Sequence, residues 1–281
     1  MVSVYNAGVI NRVDAELVHV DLDNLSVYEK FLHPNTALAQ ADIYNQAVPN
    51  LLDIFRSTRT KSSLFVIGED LEGNPENAIR ALNLAISEGH EIGNHSYSHP
   101  SNFLDLDFEE RRSEIRKTDD LIRTVLGFSA KSFRAPGYAG CWDNLQILRE
   151  LEYNSDCSRL PAVYSTGLDM LFRVSGDKEK ILPSFLRPNT WSWLLNSPKN
   201  FTEIEQIRNF KGDIWSLPNS STLLFKFPKM LTRMKRSWKR SHTPFLFHAI
   251  DFIDCYEPNS KIPALTIPFL RRMQLISTLL E

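Results

Sequence analysis

The sequence predicts an α/β fold built on parallel strands. Between residues 17 and 158, short apolar runs alternate four times with longer amphipathic stretches. That rhythm implies parallel strands joined by helical crossovers, in either an open sheet or a barrel. The chain has 281 residues, 42% of them hydrophobic. It is long enough for one large core of this class, or for two smaller domains. Finally, polar residues able to do chemistry gather at the C-terminal ends of the runs, the end where parallel barrels build their sites.

The elements follow in order. "ELVHVDLDN" is a Val/Leu-rich strand ending in carboxylates, and Ile43, Ala47, Leu51, Leu52 and Phe55 then fall on helical spacing. "SSLFVIG" is a buried strand. "NPENAIRALNLAISEG" is an amphipathic helix, with Pro75 at its first position and Gly89 ending it. "HEIGNHS" is a short strand running into a loop. "LDFEERRSEIRKTDDLIRTVLG" is a long surface helix closed by Gly127. "KSFRAPGY" is a strand breaking into a Pro-Gly turn, "WDNLQILRELE" a helix and "YNSDCS" another strand. Residues 159–212 mix prolines and aromatics without a sustained period and are expected to be an insertion or loop region over one barrel end. "DIWSLPNSS" and "PFLFHAIDF" read as two more strands, and "LTIPFLRRMQLISTLLE" as a closing helix.

Composition narrows the function classes. Charged residues make up 23% and the net charge is -2, which does not suggest a nucleic-acid binder or a disordered chain. No apolar run approaches the ~20 residues of a membrane-spanning helix. The start, "MVSVYNAGVINRVDAELV", lacks the basic and apolar blocks of a secretory signal, so a cytoplasmic location is expected. Cys141, Cys157 and Cys255 are odd in number and widely spaced, and read as reduced thiols.

Side chains alternate along a strand, so Asp21 and Asp23 point the same way. Two carboxylates on one face of an apolar strand either reach water or face a cation. In "GHEIGNHSYSHP", His95 and His99 lie four apart, a spacing that on a helical turn suits chelation of one ion. Alone, such a pair is as easily a polar loop; His90 reads as structural. Arg134, before a Pro-Gly turn, is by itself a surface arginine, and His248, ending an apolar strand, a satisfied core histidine. Taken together, all these residues fall at predicted strand ends, where a parallel barrel opens on one face.

In this order the motifs resemble the polysaccharide deacetylase family, the NodB-homology or carbohydrate esterase family 4 fold. "VDLDN" is similar to its first motif, "HSYSH" to its H-[ST]-x-x-H pair and "RAP" to its R-x-P turn. "YNSDCS" is similar to the fourth motif and "LFH" to the last, over about Leu17 to Asp251. The aspartates are separated by Leu22, a form that resembles the branch acting on small or carrier-linked amino sugars. Gly137 stands where an aromatic is usual, with Tyr138 next. The resemblance implies one domain over 1–281, a distorted (β/α)7-type barrel with surrounding helices. It implies that Asp23, His95 and His99 hold a divalent metal, Zn2+ or else Co2+ or Ni2+. Asp21 would be the general base, Arg134 its partner and His248 the acid. An amide of Gly137 or Tyr138 would face the oxyanion, and Asp251 or Asp156 would orient His248. The implied activity removes an acetyl or formyl group from an amino sugar, carried by a nucleotide or a lipid phosphate, in surface-polysaccharide synthesis. An amidohydrolase on a non-sugar amide, and a metal- or sugar-binding protein without turnover, are the rival readings.

Residues 226–242, "KFPKMLTRMKRSWKRSH", are basic throughout and contain no acid. Met230, Leu231, Met234 and Trp238 share a helical face. The stretch reads as a solvated helix packed on the barrel, or as a helix lying on the inner membrane face.

Overall fold

A computed structural model describes residues 17–31, 42–73, 75–138, 140–159, 213–216, 219–241 and 243–281. The expected insertion thus lies, but for Arg159, outside the described residues. The strands are β1 (Val18–Leu22), β2 (Ser63–Val66), β3 (Glu91–Asn94), β4 (Ser132–Phe133), β5 (Ser155–Arg159), β6 (Asp213–Ser216), β7 (Asn219–Ser220) and β8 (Phe245–His248). They form one sheet in the order β6-β5-β4-β3-β2-β1-β8-β7, and every pairing is parallel. Its two edges, β6 and β7, are separated by only Leu217 and Pro218. Three Cα steps span at most ~11 Å, so one stretch of chain pairs with β5 first and β8 next. The sheet therefore curls round as a parallel barrel. "DIWSLPNSS", expected as one strand, supplies both edges.

Helices wrap the outside: α1 (Ala47–Thr58), α2 (Gly68–Gly73), α3 (Pro75–Ser87), α4 (Phe108–Leu126), α5 (Asn144–Glu150), α6 (Ser221–Lys226), α7 (Leu231–Ser241) and α8 (Phe269–Leu280). Their inward stripes come from helical spacing. In α1, Ala47, Val48, Leu51, Leu52 and Phe55 are buried; in α3, Ala78, Ala81, Leu82 and Ala85. In α4, the Asp107 carboxylate accepts the Glu110 N–H while Glu110 reaches back to the Asp107 N–H, satisfying amides that a helix start leaves open. Gly127, at φ 83°, ends it. In α7, Leu231 and Met234 are half-buried and Trp238 is buried, but Met230 is 43% exposed. Met230 sits in the turn before the helix starts, so the expected four-residue apolar face is three residues long.

Strand register aligns the site. Leu22 pairs with Val66, Val66 with Asn94, Asn94 with Phe133 and Phe133 with Asp156. Asp21 and Asp23 flank this level, His95 and Arg134 sit one residue above it, and His248 pairs with Asp21. All reach the same rim of the barrel. Beneath them Gly93 is required for space: a Cβ there would lie 2.6 Å from Ser132 Oγ and 2.7 Å from the Phe65 ring. Gly93→Ala should cost about 1–3 kcal/mol, read as a lower urea midpoint, since that buried ring is also pressed by Arg134. An unchanged midpoint would mean that the ring has room to move.

Candidate active site

β1 carries His19, Asp21 and Asp23 on one face, all buried. Arg134, fully buried just past β4, ties this face together. Its Nη1 donates to Asp21 Oδ1 at 2.5 Å, its Nη2 to His19 Nδ1 and its Nε to the Cys157 carbonyl at 3.1 Å. The guanidinium also lies 4.2 Å from the centroid of the Phe65 ring. A buried carboxylate is costly unless paired and hydrogen-bonded, and Arg134 meets both conditions for Asp21. The surface arginine that its local sequence suggests is thus a core ion-pair partner. His19 was missed, although its spacing of two from Asp21 on a strand placed it on the same face.

Asp23 lies at the mouth. Its Oδ1 is 3.2 Å from His95 Nε2 and 3.6 Å from His99 Nε2, and the ligand atoms of all three residues lie within 4.8 Å of one another. Burial pushes the Asp23 carboxyl up, but the imidazoles of His95, His99 and His248 outweigh it and hold it far below the usual carboxylate range. Burial pushes His99 down. His95 Nδ1 is 2.8 Å from the Arg134 carbonyl oxygen. A carbonyl only accepts, so Nδ1 carries a proton and Nε2 faces Asp23. Burial pushes His95 down, but Asp21 and Asp23 outweigh it and raise it, so the position between Nε2 and Asp23 favours a positive charge. That Asp23 oxygen is buried without a hydrogen bond. A carboxylate oxygen facing two imidazole nitrogens calls for a cation between them. The donor set of two imidazoles and a carboxylate, with the His95 tautomer fixed from behind, fits a transition-metal ion.

Asp23 Oδ2 accepts the Tyr28 hydroxyl at 2.9 Å. This partner was also missed, because the segment Leu25–Phe31 carries no motif. Tyr28→Phe should weaken ion binding about 10-fold or more with little change in stability, measured by competition against a chromogenic chelator. Equal affinity would show that Asp23 needs no orienting bond.

His95 and His99 are not joined by a helical turn. Ser96 and His99 have φ of 67° and 50°, and the loop is pinned by Glu114 of α4. The Glu114 carboxylate accepts the Tyr97 N–H at 3.0 Å, the Ser98 N–H at 2.9 Å and the Ser98 hydroxyl at 2.9 Å. His90 stands apart: its Nδ1 lies 3.2 Å from the Ser62 amide, and burial lowers it to about 4. It is a structural residue.

His248 ends β8 beside Asp21. The Asp251 carboxylate accepts the His248 backbone N–H at 2.8 Å. Asp156 lies across the barrel, where its Oδ1 accepts the Ser158 N–H at 3.0 Å and the Ser158 hydroxyl at 2.5 Å. Burial pushes Asp156 up to about 6. Of the two, Asp251 is the one beside His248. Gly137 and Tyr138 both adopt left-handed backbone, at φ 56° and 59°. The Tyr138 N–H donates to the Ala135 carbonyl at 3.2 Å. It is thereby engaged in its own turn, which leaves Gly137 as the amide to consider for an oxyanion. Tyr138 is half-buried, and the cover over its phenol, then the charges of Asp21, Asp23 and Asp251, hold it protonated.

A buried carboxylate–arginine pair beside a carboxylate and two histidines, at the C-terminal rim of a parallel barrel, can hold a metal ion next to a proton acceptor. Residues 34–155 match the family model described as polysaccharide deacetylase. A peptidoglycan-N-acetylglucosamine deacetylase of Bacillus cereus is 36% identical over 88 residues, 31% of this chain and 30% of that protein. The peptidoglycan-N-acetylmuramic acid deacetylase PdaC of Bacillus subtilis is 34% identical over 128 residues, 44% of this chain and 26% of the relative. The chain thus spans less than a third of the length of either. The crystal structure of a Mycobacterium smegmatis protein assigned as a polysaccharide deacetylase superposes with a TM-score of 0.56. It covers 93% of this chain and 82% of that one at 16% identity, a likeness of fold.

Proposed function

We propose that this protein is a metal-dependent hydrolase that removes an N-acyl group, acetyl or formyl, from an amino sugar. The observation that carries this is the buried Asp23 oxygen facing His95 and His99, with the Arg134-bound Asp21 3.9 Å from His95. A divalent ion held by Asp23, His95 and His99, with Zn2+ first and Co2+ or Ni2+ as alternatives, would acidify a water and polarise the amide carbonyl.

The chain's own residues do the rest. Asp21 takes the proton of the attacking water, and Arg134 keeps its carboxylate ionised and aimed. The Gly137 N–H faces the oxygen on which charge develops. His248 gives a proton to the departing amine, with Asp251 holding its backbone. Water is consumed, the C–N bond breaks, and a carboxylate and a free amine leave.

The separation of the aspartates by Leu22 supports the branch acting on small or carrier-linked sugars. The substrate class we assign is therefore an amino sugar on a nucleotide or lipid phosphate, a precursor of a surface polysaccharide. On this reading residues 1–281 form one barrel domain with an insertion at 159–212, working on the cytoplasmic side of the inner membrane. No described helix is long and apolar enough to cross a membrane.

The test is acyl release by the metal-loaded protein from three sets of substrates: nucleotide-linked N-acyl sugars, lipid-phosphate-linked ones, and oligomers of peptidoglycan or chitin. Release from either of the first two is expected. Release from the oligomers alone would move the substrate to the polymers named for the relatives, and no release from any set would remove the sugar reading.

A further inference from the structure

Between Asp213 and Asp251 the chain has no acidic residue, yet it has seven lysines and arginines. This asymmetry stands out in a chain of net charge -2. α7 divides its bases into two groups. Lys235 Nζ donates to the Thr278 carbonyl at 2.8 Å and Lys239 Nζ to the Glu281 carbonyl at 2.9 Å, so these two cap the C-terminal end of α8. Leu231, Met234 and Trp238 face inward.

The remaining bases point elsewhere. Lys229, Arg233, Arg236 and Arg240 are spaced four, three and four apart, which places them on one stripe, and all are exposed. With Lys226, they have no acidic partner among the described residues. The stripe begins at an exposed turn where Phe227 and Met230 are 40% and 43% exposed.

We propose that this face is a docking surface for an anionic lipid bilayer, with Phe227 and Met230 entering the headgroup region and the Lys229–Arg233–Arg236–Arg240 stripe lying on acidic headgroups. A nucleic acid would also meet the charge but gives Phe227 and Met230 nothing apolar to enter, and an acidic protein, which would bury them, is an outcome the experiment separates. A bilayer interface takes both at once. One end of the surface connects to the barrel's working rim. Ser221, at the start of α6, is buried against Asp251. The six residues of α6 run ~9 Å to the turn. Docking itself requires no turnover, so its failure and that of the hydrolase reading are separate results.

The experiment is flotation of the full chain with phosphatidylcholine vesicles, with and without phosphatidylglycerol. Binding should require the anionic lipid and fall as salt rises. Each basic residue replaced by glutamine should weaken it about fivefold, so the quadruple Lys229→Gln, Arg233→Gln, Arg236→Gln, Arg240→Gln variant should lose about 600-fold. Phe227→Ser with Met230→Ser should lose about 10-fold or more at unchanged charge. These residues are exposed, and circular dichroism melts should match the parent; if the quadruple variant unfolds, the Phe227/Met230 pair and the salt series decide the matter. Equal binding to both vesicles, binding indifferent to both sets of changes, or capture by double-stranded DNA or an acidic protein with no vesicle binding would each overturn the proposal.

Discussion

Asp21→Asn should lower kcat by about 10²- to 10⁴-fold, the usual cost of losing a general base, while the chain still takes up its metal ion. The amide has the size of the carboxylate and keeps an oxygen for Arg134 Nη1, now 2.5 Å from Asp21, but it cannot take a proton. The metal cluster does not need Asp21, because Asp23, His95 and His99 form the close set. The measurement is the rate of acyl release beside the metal content of the same sample. A variant keeping more than a tenth of the parent rate with metal bound would place the base elsewhere, and a variant losing its metal would make Asp21 a ligand.

Arg134→Leu should destabilise the fold by about 3–5 kcal/mol, because it removes the cation from a buried pair and leaves the carboxylate uncompensated. The loss spreads further than one ion pair. The same guanidinium holds His19, the Cys157 carbonyl and the Phe65 ring, and the Arg134 carbonyl fixes the His95 tautomer. Arg134→Lys separates charge from geometry: it keeps a cation near Asp21 but cannot donate in three directions from one plane. It should unfold at a higher urea concentration than the leucine variant and still lose about 10-fold or more in kcat. Equal urea midpoints for parent and Arg134→Leu would show that Asp21 does not depend on the pair.

Residues whose role follows from local pattern were legible in the sequence. A strand sends Asp21 and Asp23 to one face whatever packs on it, and β1 does so. Strand C-terminal ends bring His95, Arg134 and His248 to one rim once the strands are parallel, and their register confirms it. The start of α3 and the ends of α3 and α4 follow from Pro75, Gly89 and Gly127. What stayed hidden depends on contacts far apart in the chain. His19 and Arg134 are 115 residues apart. Glu114 looks like any acid on a surface helix until its carboxylate meets the Tyr97 and Ser98 amides. Helical spacing brought His95 and His99 together for the wrong reason, since a loop with left-handed Ser96 and His99 does the work. Asp156 could not be separated from Asp251 by motif alone, because only the folded barrel puts one beside His248 and the other beside Ser158.

On the proposed function, Asp23, His95 and His99 hold one divalent ion. Titrating metal-stripped protein with Zn2+ in a calorimeter tests it most directly, with Co2+ and Ni2+ as parallel titrants. The expected result is one ion per chain, with uptake abolished in His95→Ala and in His99→Ala while both variants remain folded. No stoichiometric uptake of any of the three ions, or uptake that survives the loss of either histidine, would contradict it.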